Sequence, residues 1–457
     1  MNSCRVDAVG AIVIPNHYEF NLLSYGLASE TGLSSLATGS RALTDAALLW
    51  GGDGKRVYLP GGFSAEWVQF VASFMGYRRV EVLPVEGKGT ICRELALSNE
   101  IKCFKGNEKI LAWGATPQLH ALLSSFNGSN SFDITDFAGV NALPVARYLD
   151  SKGGCRLTFS RKDMAPIENL ALKMAEGYLL PDLESAAAAA AEISSRYGYA
   201  VVKANHGVGG LNVAILSGEG ESIAGRLAAL SRWDPLWRQT PLIVEALIGG
   251  RSITADWFLS KCGAAELVGV GEMRIERGSR YRGVFSGRGV ISAETLKMVS
   301  VAGKAITDKV YRRGYSGWVN GDFILSDEGS LYLSEINMRR SSPTHAFEGA
   351  RHLKGAGWAE KTALATDEHL AFIGGPPEAE AIIQAFERFN AGASFGQGAL
   401  LTLLNNSLKC SPPYIGFAIF AGAGEELPSL EEDLLSIIKS ETGIGVRPAT
   451  PFKRGGL

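Results

Sequence analysis

The chain has 457 residues, which at roughly 100–200 residues per domain predicts about three domains and a core that needs no disulfide or structural metal. Hydrophobic residues make up 46% and charged residues 20%, close to the usual values of about 45–50% and 25%, so disorder and a fibrous chain are excluded. Lys plus Arg number 45 against 47 Asp plus Glu, a net charge of -2, which gives no field to hold a polyanion and excludes nucleic acid as an expected partner.

Glycine is abundant, 55 residues, without a collagen-type period, so many glycines are expected where backbone bends or approaches a ligand. Cys4, Cys92, Cys103, Cys155, Cys262 and Cys410 lie far apart, with no CxxC pair and no Cys/His cluster. Neither a disulfide framework nor a zinc site is signalled, and a reducing cytoplasm fits. No apolar run approaches the roughly 18–20 residues of a membrane span, so no membrane partner is expected. The apolar run Val9 to Ile14 stops at Pro15 and reads as a buried strand.

Residues 1–137 alternate short β-rich runs with helical patterns, the mark of βαβ units and a mostly parallel sheet. Val57 to Leu59 reads as a strand; Ser64 then opens a helix with Trp67, Phe70, Val71 and Phe74 on one face. Val80 to Leu83 and Ile110 to Trp113 return as strands, and Thr116 with Pro117 caps the next helix. No GxGxxG or Walker A sequence follows any of these strands, so the region is read as a scaffold or substrate-side domain.

A second domain is placed at 138–373. Asp182 caps a helix carrying six consecutive alanines, Ala186 to Ala191, and Gly198 closes it. Tyr199 to Lys203 follows as a buried strand ending in lysine, and the loop after it holds His206, Gly207, Gly209 and Gly210. A lysine at a strand end and glycine N–H groups turned inward suit a polyphosphate; the plain alternative is a glycine hairpin with a solvated lysine. Pro241 to Val244 is a strand delivering Glu245, and a flat heteroaromatic base can lie there against Ile243 and Leu247, bonding to Glu245 and to the backbone of Ala246 and Leu247. The alternative is a core strand with a capping carboxylate.

Gly317 to Arg339 reads as two antiparallel strands joined at Ser326–Gly329, bringing Asp322 close to Glu335 and Asn337. Two carboxylates and an amide oxygen form a hard ligand set suited to Mg²⁺ shared with phosphates, and Arg339 on the same face can neutralise a phosphoryl or carboxylate oxygen.

In this order the three segments resemble the ATP-grasp superfamily over roughly residues 199–345. The resemblance implies that Lys203 contacts ATP phosphates under the loop His206 to Leu211, that Glu245 to Leu247 hold adenine, and that Asp322, Glu335 and Asn337 bind one or two Mg²⁺, with Mn²⁺ able to substitute. Arg339 matches the arginine that faces the acyl-phosphate. Residues 1–137 would then be a pre-ATP-grasp domain and 138–373 the ATP-grasp domain, in an α/β and α+β multidomain chain. Two features depart from the family. The linker reads Gly250-Arg251-Ser252 where a ribose-binding glutamate is common, and the upstream lysine is open among Lys152, Lys162 and Lys173. Length, the strand-rich N-terminal domain and the segment Asn337 to His345 look most like peptide ligases of the pheganomycin-biosynthesis type, enzymes of secondary metabolism.

Arg274 to Gly289 holds five arginines and four glycines in sixteen residues and reads as a mobile cationic lid, with Arg282 and Arg288 as catalytic candidates; the alternative is a solvated charged loop. Ser341, Ser342 and His345 are expected to bind a substrate carboxylate through hydroxyl and backbone N–H groups, His345 being equally suited to a structural role. The cluster Gly374 to Pro377 reads as a linker to a small α+β unit, 374–457, with strands at Ala399–Leu404 and Ile415–Ala421 and a capping box at Ser429. The expected activity is an ATP-dependent ligase joining a small-molecule carboxylate to an amine, amino acid or peptide, through an acyl-phosphate. A small-molecule kinase and a non-catalytic nucleotide-binding protein are the alternatives, and a homodimer is left open.

Overall fold

The computed structural model describes residues 10–25, 34–98, 109–125, 133–134, 140–160, 172–207, 212–239, 241–276 and 279–447. Its first sheet holds β1 (Ile12–Ile14), β2 (Lys55–Pro60), β3 (Val80–Val85), β4 (Lys109–Ala112) and β5 (Asp133–Ile134) in the order β3-β2-β1-β4-β5. Every pairing is parallel, as the βαβ pattern predicts. The helix Ala65–Met75 starts where expected, with the Ser64 hydroxyl accepting from the Trp67 N–H at 3.0 Å. It ends at Gly76, whose φ of 68° suits glycine. Its Trp67, Phe70, Val71 and Met75 are buried.

The second sheet joins β6 (Gly177–Leu180), β7 (Ala200–Lys203), β8 (Val213–Leu216) and β9 (Leu242–Ala246), all antiparallel, in the order β6-β9-β7-β8. The alanine-rich helix Leu183–Tyr197 lies against it. Asp182 accepts from the Ser185 N–H at 2.7 Å, and small side chains such as Ala186 and Ala190 let the helix pack closely on this short sheet.

The third sheet is nine-stranded: β10 (Gly250–Leu259), β11 (Ala265–Glu276), β12 (Arg280–Gly287), β13 (Gly317–Ser326), β14 (Leu331–Asn337), β15 (Ala363–Ile373), β16 (Gly398–Leu403) and β17 (Tyr414–Ala421) run in the order β14-β13-β10-β11-β12-β15-β17-β16, and β18 (Gly445–Arg447) pairs with β15. Three expectations change here. The arginine-rich segment is mostly not a loop: β11 and β12 pair as a hairpin in mid-sheet, with Arg277 and Gly278 outside the described residues. Nor does residue 374 begin a separate fold. Gly374 and Gly375, at φ 103° and 143°, make the turn into the helix Ala379–Gly392, and β16 to β18 extend the same sheet. Side chains of that region, among them Phe386, Phe417 and Ile438, share one apolar cluster with Val13, Leu59 and Trp67 of the N-terminal unit. Finally, Ser429 caps nothing: its helix is Leu427–Thr442, started by Leu427-Pro428. The expected 137/138 boundary lies outside the described residues.

Candidate active site

Between the second and third sheets lies a cleft of about 240 Å³, to which the N-terminal unit contributes His17 and Trp113. Alternation along β13 turns Asn320, Asp322 and Ile324 toward it, and pairing sets Asn320 opposite Asn337 and Asp322 opposite Glu335. The expected ligand residues therefore meet. The register then slips, because Ser334 is an extra residue in β14. That bulge brings Ser334 to Lys203, whose Nζ donates to the serine hydroxyl at 3.1 Å.

Lys203 ends β7 inside the cleft, as expected, and is nearly buried. Its Nζ stands 2.6 Å from Glu245 Oε2, while Arg156 Nη1 stands 2.7 Å from Glu245 Oε1. Burial works against the lysine's charge, but Glu245 outweighs it and the Lys203 pKa is raised. Glu245, expected to hold a base, here lines the cleft and is the counter-ion of two buried cations. The Ala246 and Leu247 N–H groups are given to the Glu176 carbonyl at 2.8 Å and the Tyr199 carbonyl at 3.5 Å. Both residues line the cleft.

Two carboxylates side by side set the charge at the other end. Burial, then the Glu335 charge, pushes Asp322 up to about 7. Burial also opposes ionisation of Glu335, yet Lys152 at 2.8 Å holds its pKa below the usual carboxylate range. Asn337 donates from Nδ2 to Asn320 Oδ1 at 2.7 Å, and its own Oδ1 accepts from Arg339 Nη2 at 3.0 Å. These oxygens fit a hard divalent cation that draws its other ligands from phosphates and water. Among the described residues no group of three or more His, Cys, Asp or Glu forms a metal site of its own.

Arg339 sits 5.4 Å over both the Phe20 and Trp113 rings, and the next N–H, that of Arg340, bonds to the Trp113 carbonyl at 3.0 Å. The N-terminal unit therefore positions the arginine. Of the three upstream lysines, Lys152 faces the cleft, Lys173 bonds to the Ser330 hydroxyl at 2.9 Å, and Lys162 lies outside the described residues.

Other expected residues fall elsewhere. Arg282 is corrected from catalytic candidate to buried ion pair: alternation along β12 turns Tyr281 to the cleft and Arg282 to the opposite face, 3.0 Å from Asp367. Arg288 is exposed in the turn after β12. Gly207 lines the cleft, and a Cβ there would meet Asn212 at 2.9 Å; Gly209 and Gly210 lie outside the described residues. His206 is half-buried, and burial lowers its pKa. Ser341 spends its hydroxyl on Asp256, at 2.7 Å. His345 is buried, its Nδ1 2.7 Å from the Ser342 carbonyl, and burial lowers its pKa to about 4. Neither Ser341 nor His345 offers the hydrogen expected for a substrate carboxylate.

No family model and no curated protein sequence matches the chain. The structure is a mixed α/β arrangement with one parallel N-terminal sheet and two antiparallel sheets, and solved structures share this fold over nearly the whole chain. Similar solved structures include a biotin carboxylase from Campylobacter jejuni (TM-score 0.57, 12% identity, covering 98% of this chain and 93% of that one). An N5-carboxyaminoimidazole synthase from Aspergillus clavatus, bound to ADP and its ribonucleotide, has a TM-score of 0.52 at 12% identity over 95% and 99%. An L-amino acid ligase from Bacillus licheniformis has a TM-score of 0.51 at 12% identity over 97% and 99%. No helix among the described residues is long and apolar enough to cross a membrane.

Proposed function

We propose that the chain is an ATP-dependent carboxylate–amine ligase working through an acyl-phosphate. The carrying observation is that Lys203, Asp322, Glu335 and Asn337, from two sheets, and Arg339, just past β14, line one cleft. Lys203, held by Glu245, and Lys152, released as its partner Glu335 turns to the metal, would receive the phosphate tail. When bound, Mg²⁺ would supply charge that screens the phosphates and polarises the terminal one. Arg339, fixed by the two rings, would hold the substrate carboxylate and neutralise the transferring phosphoryl group. Apolar surface at Val201, Ile248 and Leu333 would take the adenine and exclude water. The work is positioning and charge neutralisation, so no nucleophilic serine or cysteine is required.

The name of the Bacillus licheniformis neighbour, an L-amino acid ligase, favours an L-amino acid as a substrate. The segment Asn337 to His345 extends this toward peptide ligases of the pheganomycin-biosynthesis type, in cytoplasmic secondary metabolism, with Mn²⁺ as a substitute metal and a homodimer as the assembly.

The test is the fate of ATP with amino acids and short peptides supplied in pairs. ADP and phosphate should appear in equal amounts and only with both substrates, and oxygen labelled in the carboxylate should reach the phosphate. AMP as product would overturn the mechanism. A stable phosphorylated product without an amine requirement would make the protein a kinase, and nucleotide binding without turnover would make it non-catalytic.

A further inference from the structure

Resting on the metal reading of the cleft, we infer that Asn320 is a positioning residue: held by β10, it fixes which atom of the Asn337 amide a divalent cation meets. An amide ligates a cation through its oxygen, because its nitrogen carries hydrogens. The direction in which Asn337 is turned therefore decides whether it is a ligand at all. Asn320 is 1% exposed, stands in β13 two residues before Asp322, and pairs with Asp256 of β10. Its Nδ2 reaches Thr254 Oγ1 at 2.8 Å, Asp256 Oδ1 at 2.8 Å and the Ala255 carbonyl at 3.2 Å. A carbonyl has no hydrogen, so the Asn320 atom facing Ala255 is the donor, whatever proton Asp256 holds.

That choice propagates. With Nδ2 of Asn320 turned to β10, its Oδ1 faces Asn337, and the Asn337 atom meeting it at 2.7 Å must be Nδ2. The other hydrogen of this nitrogen reaches Asp322 Oδ2 at 3.4 Å. The remaining end of the amide is Oδ1, which Arg339 Nη2 meets at 3.0 Å, and a guanidinium can only donate. A carbonyl at one end and a guanidinium at the other thus leave the two amides one common arrangement. Arg339 takes one lone pair of Asn337 Oδ1, and the second is there for a cation. Asp256 anchors the chain of bonds from behind, since it also accepts from the Ser341 hydroxyl at 2.7 Å and the Thr344 hydroxyl at 2.6 Å. In the ligase reading Arg339 turns to the substrate, and Asn320 is then the partner that keeps the amide from rotating about its soft terminal torsion.

The probe is Mn²⁺, with its binding to the ADP-loaded protein followed by electron paramagnetic resonance. Asn320→Leu, close in volume but without polar atoms, should raise the Kd for Mn²⁺ roughly tenfold or more, the usual effect of losing the partner behind a metal ligand. The Kd for ADP without metal should move less than about threefold, a split that general misfolding would not give. Asn337→Ala, which removes the ligand itself, is the reference. Mn²⁺ affinity lost in Asn337→Ala but kept in Asn320→Leu would overturn the positioning role and leave the metal reading standing. Affinity kept in Asn337→Ala, or a wild type that binds no Mn²⁺ with ADP, would refute the metal reading itself. An equal loss of metal-free ADP affinity in Asn320→Leu would make Asn320 a structural residue only. If Asn320→Leu does not fold, Asn320→Ser, too short to span from the Ala255 carbonyl to Asn337, carries the same test.

Discussion

Asp322 and Glu335 oppose each other's charge in the cleft, because pairing across β13 and β14 places them together with little solvent. Asp322→Ala and Glu335→Ala should each abolish turnover in saturating Mg²⁺ while the thermal midpoint survives, since apolar packing on the other side of the hairpin is untouched. Near wild-type turnover in either variant would remove them from the metal site. Glu245→Gln should behave differently. It leaves Arg156 and Lys203 buried beside a neutral amide, a cost of about 3–5 kcal/mol, so both the midpoint and the activity should fall. A variant as stable as wild type would show that the two cations find other partners. Asp322, Glu335, Asn337 and Lys203 were legible because strand periodicity and hairpin spacing carry them. The role of Glu245 was not, because its partner Arg156 lies 89 positions away and distant pairing leaves no local pattern.

At the scale of elements, local chemistry was read well where capping was local and poorly where tertiary packing chose the boundary. Ser64 does cap its helix, so Ser64→Ala should cost about 1 kcal/mol. Ser429 sits inside its helix, so Ser429→Ala should cost nearly nothing. Equal losses in thermal midpoint would contradict both starts. The β11–β12 hairpin shows the other limit. Its arginines suggested a mobile lid, but Arg274 donates to the Thr366 carbonyl at 3.0 Å and Arg282 pairs with Asp367, so the charges hold strands together. The bulge at Ser334 had no signal at all, since an extra residue in a strand looks like any other.

For the whole molecule, composition and length pointed to three units, yet the third is built into the other two. Asp45, in the N-terminal unit, accepts from the Leu404 N–H at 2.9 Å and the Asn405 N–H at 2.7 Å, joining it to the end of β16. Burial raises the Asp45 pKa from 3.8 to about 6. Between those values the folded chain keeps a proton that the unfolded chain has released, so this group's contribution to stability falls as pH rises from about 4 to 6 and stays low above. A rise of that size corresponds to at most about 3 kcal/mol. Asp45→Asn cannot titrate, so the stability of wild type relative to the variant should decline between pH 4 and pH 7, whatever the fixed cost of the amide. Thermal midpoints of the two proteins measured across that range test this. Curves that stay parallel would mean that Asp45 ionises in the fold as it does in water, and that the joint between the N-terminal unit and the C-terminal strands is open to solvent.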